Sequence, residues 1–167
     1  MDIDSNAPII SPLDFRNALG RFASGLTIIT GHVGTEPVGF TCQAFYSVSA
    51  DPPLVSFSVM ETSTSWPRIR ETGRFAVNML AHGQHDVAGS FARSGTDKWA
   101  GIDWEASPAG NPLIANTLSW IDCTLYEEHL IGDHYVVIGR IQELSPPRPD
   151  EHEHPLVYFK GQFRALS

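Results

Sequence analysis

Residues 26–60 read LTIITGHVGTEPVGFTCQAFYSVSADPPLVSFSVM, and this stretch decides the fold class. Leu26 to Thr30 is short, apolar and β-branched, the composition of a buried strand. Gly31 to Pro37 gathers glycines, a proline and polar residues, and reads as a hairpin connection. Val38 to Ser49 and Leu54 to Met60 follow as strands, separated by Asp51-Pro52-Pro53.

Outward from this stretch the same pattern continues. Arg74 to Leu80 is a further strand, ahead of a short helix from His85 to Ala92. Thr117 to Glu128 and His134 to Leu144 flank Ile131-Gly132-Asp133, a hairpin turn. Pro155 to Phe163 supplies a last strand, after a Pro-rich acidic loop from Ser145 to His154. On the N-terminal side, Ser11 can cap a helix, Pro12 suits its first turn, and Asp14 completes a capping-box-like pair. Phe15, Ala18, Leu19 and Phe22 then recur at helical spacing, and Gly25 ends the segment.

Six or seven strands with few, short helices do not make a doubly wound sheet, in which helices alternate with parallel strands. The expected architecture is mainly β, a closed or nearly closed antiparallel barrel of six to seven strands. No repeat or linker divides the chain. One domain is expected over residues 11–167, behind an N-terminal tail at 1–10.

The formal net charge of −8, with 11 basic against 19 acidic residues, argues against a nucleic-acid partner, because polyanions are held mainly by Lys and Arg. No apolar run approaches the roughly 20 residues needed to span a bilayer. Met1 to Pro8 lacks the basic start and apolar stretch of a signal peptide. A cytoplasmic protein with no membrane partner is expected. Cys42 and Cys123 show no metal or redox spacing and read as free, buried thiols.

Motif absences narrow the chemistry. There is no Gly-x-Gly-x-x-Gly, no P-loop, no His-Glu-x-x-His and no Gly-x-Ser-x-Gly. His152 and His154 alternate with Glu151 and Glu153 but sit in a hydrophilic, proline-flanked loop. His82 and His85 could share a helix face, but a third ligand is not in sight. No metal centre is expected.

Three segments carry chemistry suited to a flavin. Gly39-Phe40-Thr41-Cys42-Gln43-Ala44-Phe45 offers a glycine for close backbone approach and two donor side chains to a flat, acceptor-rich ring, although an ordinary strand reads the same way. Thr62-Ser63-Thr64-Ser65 opens a helix through Trp66-Pro67-Arg68, with Arg70 nearby. This suits a phosphate, or equally a capped helix whose hydroxyls serve only its own amides. Gly132-Asp133-His134 places a histidine at the start of a strand, either exposed or reaching a pocket.

Together these segments resemble the short-chain flavin reductase family, split-barrel flavoproteins that serve two-component monooxygenases. The resemblance runs from about Phe15 to Leu166. It rests on Ser24 to Thr30, Gly39 to Phe45, Ser49 to Val55, Gly73 to Leu80, Asp97-Lys98-Trp99, Gly132-Asp133-His134 and Pro155 to Phe159, in the family's order. Val38 to Gln43, Lys98 to Trp104 and Ile121-Asp122-Cys123-Thr124 look closest to the reductase serving an actinobacterial hydroxylase of phenolic steroid-degradation intermediates. Most members carry Phe where Trp99 stands, and many carry Ser where Gln43 stands.

The resemblance implies a homodimer with FMN or FAD at or near the subunit interface. By position, Pro37, Val38, Gly39, Phe40, Thr41, Gln43 and Ala44 surround the ring. Ser58, Val59 and Met60, then Thr64 and Ser65, lie toward ribityl and phosphate, with Ser90 and Phe91 as a further contact. NADH maps to His134 and to Tyr158, Phe159, Lys160 and Gly161. The implied reaction is hydride transfer from NADH to flavin, with His134 orienting the nicotinamide or stabilising charge on reduced flavin. NADPH is disfavoured because no arginine cluster awaits a 2′-phosphate. Reduced flavin then passes to a separate oxygenase. Two rivals share the barrel: a pyridoxamine-phosphate-oxidase-like enzyme, and a non-catalytic flavin or haem carrier.

Overall fold

The computed structural model describes residues 7–147 and 154–166. Helix α1 (Pro12–Leu19) starts as its sequence dictates: Ser11 Oγ accepts from the Asp14 N–H at 3.1 Å, and Pro12 occupies the first turn. No residue of α1 is buried, and Phe15 and Phe22 stay 56% and 82% exposed. The helix therefore has an apolar side that its own chain does not cover.

Next come β1 (Ser24–Gly25), β2 (Thr27–Val33), β3 (Glu36–Cys42), β4 (Phe45–Ala50) and β5 (Pro53–Met60). After them lie α2 (Trp66–Glu71), β6 (Arg74–Met79), α3 (His85–Phe91), β7 (Trp104–Ala106) and β8 (Pro112–Ile114). The chain closes with β9 (Ser119–Ile131), β10 (His134–Leu144), β11 (Val157–Phe159) and β12 (Gln162–Arg164). A seven-stranded antiparallel sheet runs in the order β3-β2-β6-β9-β10-β5-β4, beside small sheets β1-β11-β12 and β7-β8.

The large sheet curls. Its edge strands β3 and β4 are joined in sequence by Gln43-Ala44 alone. Phe40 on one edge strand reaches Phe57 beside the other, with ring centroids 6.0 Å apart. Inside, Phe57, Trp66 and Phe75 meet edge-to-face at 5.1–6.0 Å, over Ile29, Val77 and Val137. A second core, of Leu26, Ile28, Leu80, Phe91 and Leu156, lies under α3.

Four sequence expectations need correction. No ladder joins β3 to β4, so the sheet is open and not a closed barrel. The connection expected over Gly31 to Pro37 shrinks to Gly34-Thr35, because β2 and β3 stay paired out to Val33 and Glu36. The strand expected from Val38 to Ser49 breaks at Gln43-Ala44, where Phe45 N–H donates back to the Gln43 carbonyl at 3.0 Å. The last strand is a hairpin, since Lys160 and Gly161 take φ of +50° and +72° and turn the chain. The histidine–glutamate run at 151–153 lies outside the described residues. Among the described residues, no helix is long and apolar enough to cross a membrane, and no group of three metal-ligating side chains occurs.

Candidate active site

The break at Gln43-Ala44 opens a cleft of about 400 Å³ between the sheet's two edges. Phe40, Thr41, Gln43 and Ala44 form one side, and Ser58, Val59 and Met60 the other. Thr62 to Ser65, Phe91, Ala92, Ser94, Lys98 and His134 complete the lining. The Thr41 hydroxyl donates to the Ala88 carbonyl at 2.7 Å and ties β3 to α3. Ser58 N–H donates to the Ala44 carbonyl at 3.0 Å, which pins the junction to β5. Cys42 is buried beneath, its thiol 3.5–3.6 Å from the Ser58 and Ala44 carbonyls. Burial pushes that thiol up to about 12, so Cys42 is packing and not a nucleophile.

Gly39 behaves differently from its sequence reading. A Cβ there would stand 2.9 Å from Phe91 Cε1 and 3.1 Å from the Ile29 carbonyl oxygen. The space is filled from within, by the fully buried Phe91, and the glycine admits α3 and not a ligand.

The charge in the cleft comes from Lys98. Its Nζ donates to the Gly39 carbonyl at 3.2 Å and lies 3.4 Å from Ser65 Oγ. Burial holds its pKa below the ordinary lysine value, and among the described residues no carboxylate pairs it. A half-buried cation with only neutral acceptors is a seat for an anion. Ser65 keeps its hydroxyl for that seat, because Ser63 Oγ accepts the Trp66 N–H at 3.1 Å in its place. Arg68 and Arg70 do not take part: Arg68 pairs with Glu36 at 2.6 Å, and Arg70 with Glu128 at 2.8 Å. Glu128 also accepts from the Trp66 indole at 2.6 Å, so that cluster anchors α2 to the sheet.

His134 opens β10 opposite Met60, and its Nδ1 lies 2.7 Å from Asp133 Oδ1. That contact holds the Asp133 carboxyl below its usual range. The bond leaves Nε2 as the ring's other polar atom.

Of the residues singled out from sequence, Phe40, Thr41, Gln43, Ala44, Ser58, Val59, Met60, Thr64, Ser65, Phe91 and His134 line this cleft. Pro37, Val38 and Gly39 line an adjoining depression. Ser90 is half-buried on α3 and lines neither. Tyr158 and Phe159 on β11, with the Lys160-Gly161 turn, lie in the small sheet, outside the cleft. Sequence reading gave Lys98 no role. Its signal was scarcity: Lys98 and Lys160 are the chain's only lysines.

Residues 19–167 match the model of the flavin reductase like domain. The chain belongs to the flavin reductase family. This reductase is 44% identical over 160 residues to the reductase subunit HsaB of a flavin-dependent monooxygenase from Rhodococcus jostii, covering 96% of this chain and 80% of that protein. It is 36% identical over 152 residues to an NADH:FMN oxidoreductase from Rhodococcus qingshengii, covering 90% of this chain and 79% of that one. Among solved structures it superposes with a TM-score of 0.88 on a nitrilotriacetate monooxygenase component B homologue from Mycobacterium thermoresistibile. Identity there is 42%, over 92% of this chain and 85% of the other.

Proposed function

We propose that this reductase binds FMN or FAD in the cleft at the β3–β4 junction, reduces it with NADH, and releases reduced flavin to a separate oxygenase acting on a phenolic compound. One observation carries the reading. A cleft lined by Phe40, Val59, Met60 and Phe91, with a histidine and a half-buried lysine that no carboxylate pairs among the described residues, matches a ligand that joins a flat ring to an anion. The relatives' names, a monooxygenase reductase subunit and an NADH:FMN oxidoreductase, support the same activity.

When bound, the flavin supplies the hydride-accepting ring, so the chain's own residues need only bind and orient. Gln43 and Ala44 present donors beside the ring, while Thr41, whose hydroxyl is spent on the Ala88 carbonyl, holds that stretch of β3 to α3. Ser58 to Met60 follow the ribityl chain. Thr64, Ser65 and Lys98 hold the phosphate. His134 holds the nicotinamide against the ring, its own orientation fixed by Asp133. Pro37, Val38 and Gly39, on β3 itself, line the adjoining depression and not the cleft.

The reductase works as a homodimer in this reading, one domain over residues 11–167. A second copy covers the apolar side of α1, where Phe15 and Leu19, with Phe22 just past the helix, are all more than half exposed. Lys160 N–H donates to the Gly20 carbonyl at 2.8 Å, which sets the turn of the β11–β12 hairpin against the C-terminal end of α1. Tyr158 to Gly161 lie outside the cleft of their own chain, and in this reading they serve the nicotinamide through the second copy. Two buried, unpaired cysteines suit the cytoplasm.

The test is NADH oxidation at 340 nm by purified protein, with and without added FMN or FAD. Oxidation that depends on added flavin is the expected result. Flavin binding without oxidation of NADH or NADPH would make the protein a carrier instead.

A further inference from the structure

Thr64 and Ser65, which share the proposed phosphate seat with Lys98, lead directly into α2. That helix spans six residues, too few to hold its shape alone in water. Ser65, its cap, makes no side-chain capping bond. The Ser65 hydroxyl is therefore placed by whatever fastens α2 to the rest of the molecule.

Trp66 and Ile69 bury the helix against the core, and Arg68 pairs with Glu36 on its exposed side. The inner polar attachment is a single carboxylate. Trp66 and Arg70 stand four residues apart, on one side of the helix. Glu128 reaches over from β9 and accepts the Trp66 indole N–H on Oε2 at 2.6 Å and Arg70 on Oε1 at 2.8 Å. A carboxylate that straddles two successive turns fixes both the tilt and the rotation of the helix. The clamp lies largely out of water, with Trp66 1% exposed and the Glu128 side chain 16%. Phe57 and Phe75 hold the indole edge-to-face at 5.1 and 6.0 Å, and the Tyr135 ring lies 5.4 Å from the Arg70 guanidinium. One peptide bond before Trp66, the Ser65 hydroxyl is left 3.4 Å from Lys98 Nζ.

We infer that Glu128 is a positioning residue for flavin binding: through the Trp66 indole it holds Ser65 where Ser65 and Lys98 together meet the flavin's phosphate. The inference rests on the site reading above. Glu128 lines neither the cleft nor the adjoining depression, so it acts through α2 and not on the ligand. Charge and position here have opposite signs. By Coulomb's law alone, removing a carboxylate favours an anionic ligand. Removing a clamp loosens the seat of that ligand. Weaker phosphate binding in a variant without the carboxylate is therefore the mark of positioning.

Titration of the purified full chain with FMN and with riboflavin, followed by flavin fluorescence, tests this. Riboflavin carries the ring and the ribityl chain without the phosphate. In Glu128→Leu the Kd for FMN should rise about tenfold while that for riboflavin holds. Trp66→Phe drops the indole N–H but leaves Glu128 paired with Arg70, and should match it. Glu128→Gln keeps an acceptor for the indole and should recover most of the FMN affinity. At saturating FMN the Michaelis constant for NADH should hold in all three, because Tyr135 packs against the core and its strand neighbour His134 faces the other way. Equal losses for FMN and riboflavin would make Glu128 a purely structural group and overturn the inference. So would FMN binding that is unchanged or tighter in Glu128→Leu, or a loss in Glu128→Gln as large as in Glu128→Leu. If Lys98→Met also fails to separate FMN from riboflavin, the phosphate lies elsewhere and the site reading falls with it.

Discussion

Asn78 and Lys98 each bring a polar side chain into largely apolar surroundings, and they are spent in opposite ways. Asn78 on β6 is fully buried. Its Nδ2 donates to the Ile28 carbonyl and to Thr30 Oγ1, both at 3.1 Å, and its Oδ1 accepts the Ile114 N–H at 2.9 Å. Thr30 in turn donates to the Pro112 carbonyl at 2.6 Å, so this node clips β8 onto β2 and β6. Every polar atom there is used by the fold. Among the described residues Lys98 meets only a carbonyl and a hydroxyl, and no carboxylate answers its charge. A satisfied buried group is architecture, whereas a buried charge left unpaired is an invitation to a ligand.

That contrast can be broken by mutation, beginning with its architectural side. Asn78→Ala strands the Ile114 N–H and opens a cavity among β2, β6 and β8, and should cost about 2–4 kcal/mol, read by urea denaturation. Flavin affinity of the molecules that remain folded should hold. Lys98→Met should do the reverse. Flavin affinity should fall about 10- to 150-fold, the worth of about 1.5–3 kcal/mol for hydrogen bonds to a charged group. Its melting temperature should hold or rise, because burial already penalises the ammonium. A stability loss with unchanged flavin binding would make Lys98 a second Asn78.

His134→Ala should be milder. The Michaelis constant for NADH should rise about three- to tenfold, with little change in flavin affinity. An unchanged NADH dependence would remove the histidine from the nicotinamide site. Smallest of all is the reactivity of Cys42. With the native thiol near 12, iodoacetamide at pH 8 should label the unfolded chain and spare the folded one, by mass spectrometry. The sign extends to stability: the unfolded thiol loses its proton first, so the fold weakens as pH rises from the ordinary thiol range toward 12.

The strands were legible because alternation and β-branching belong to each segment alone. Thus β6, β10 and α3 begin where their residues say they should. The cleft was legible through neighbours in sequence, Thr41 to Ala44 and Ser58 to Met60, once a family resemblance gave them a shared purpose. What could not be read were events between distant residues. Arg68 and Arg70 look like a phosphate seat until Glu36 and Glu128 arrive from other strands and claim them. Gly39 looks like an opening until Phe91 fills it from α3. Lys98 is isolated on an irregular stretch, and only the approach of β3 and Ser65 gives it meaning.

The seam at Gln43-Ala44 also orders events in time. Strands β4 and β5 pair with each other, but the only further partner of β5 is β10, which begins at His134. During synthesis that hairpin must wait, with one side unpaired, until most of the chain has left the ribosome. The cleft needs both sides of the seam, so it is completed among the last events of folding. With the flavin site as proposed, a truncated or nascent chain would hold no flavin, and cofactor retention would report on a finished molecule.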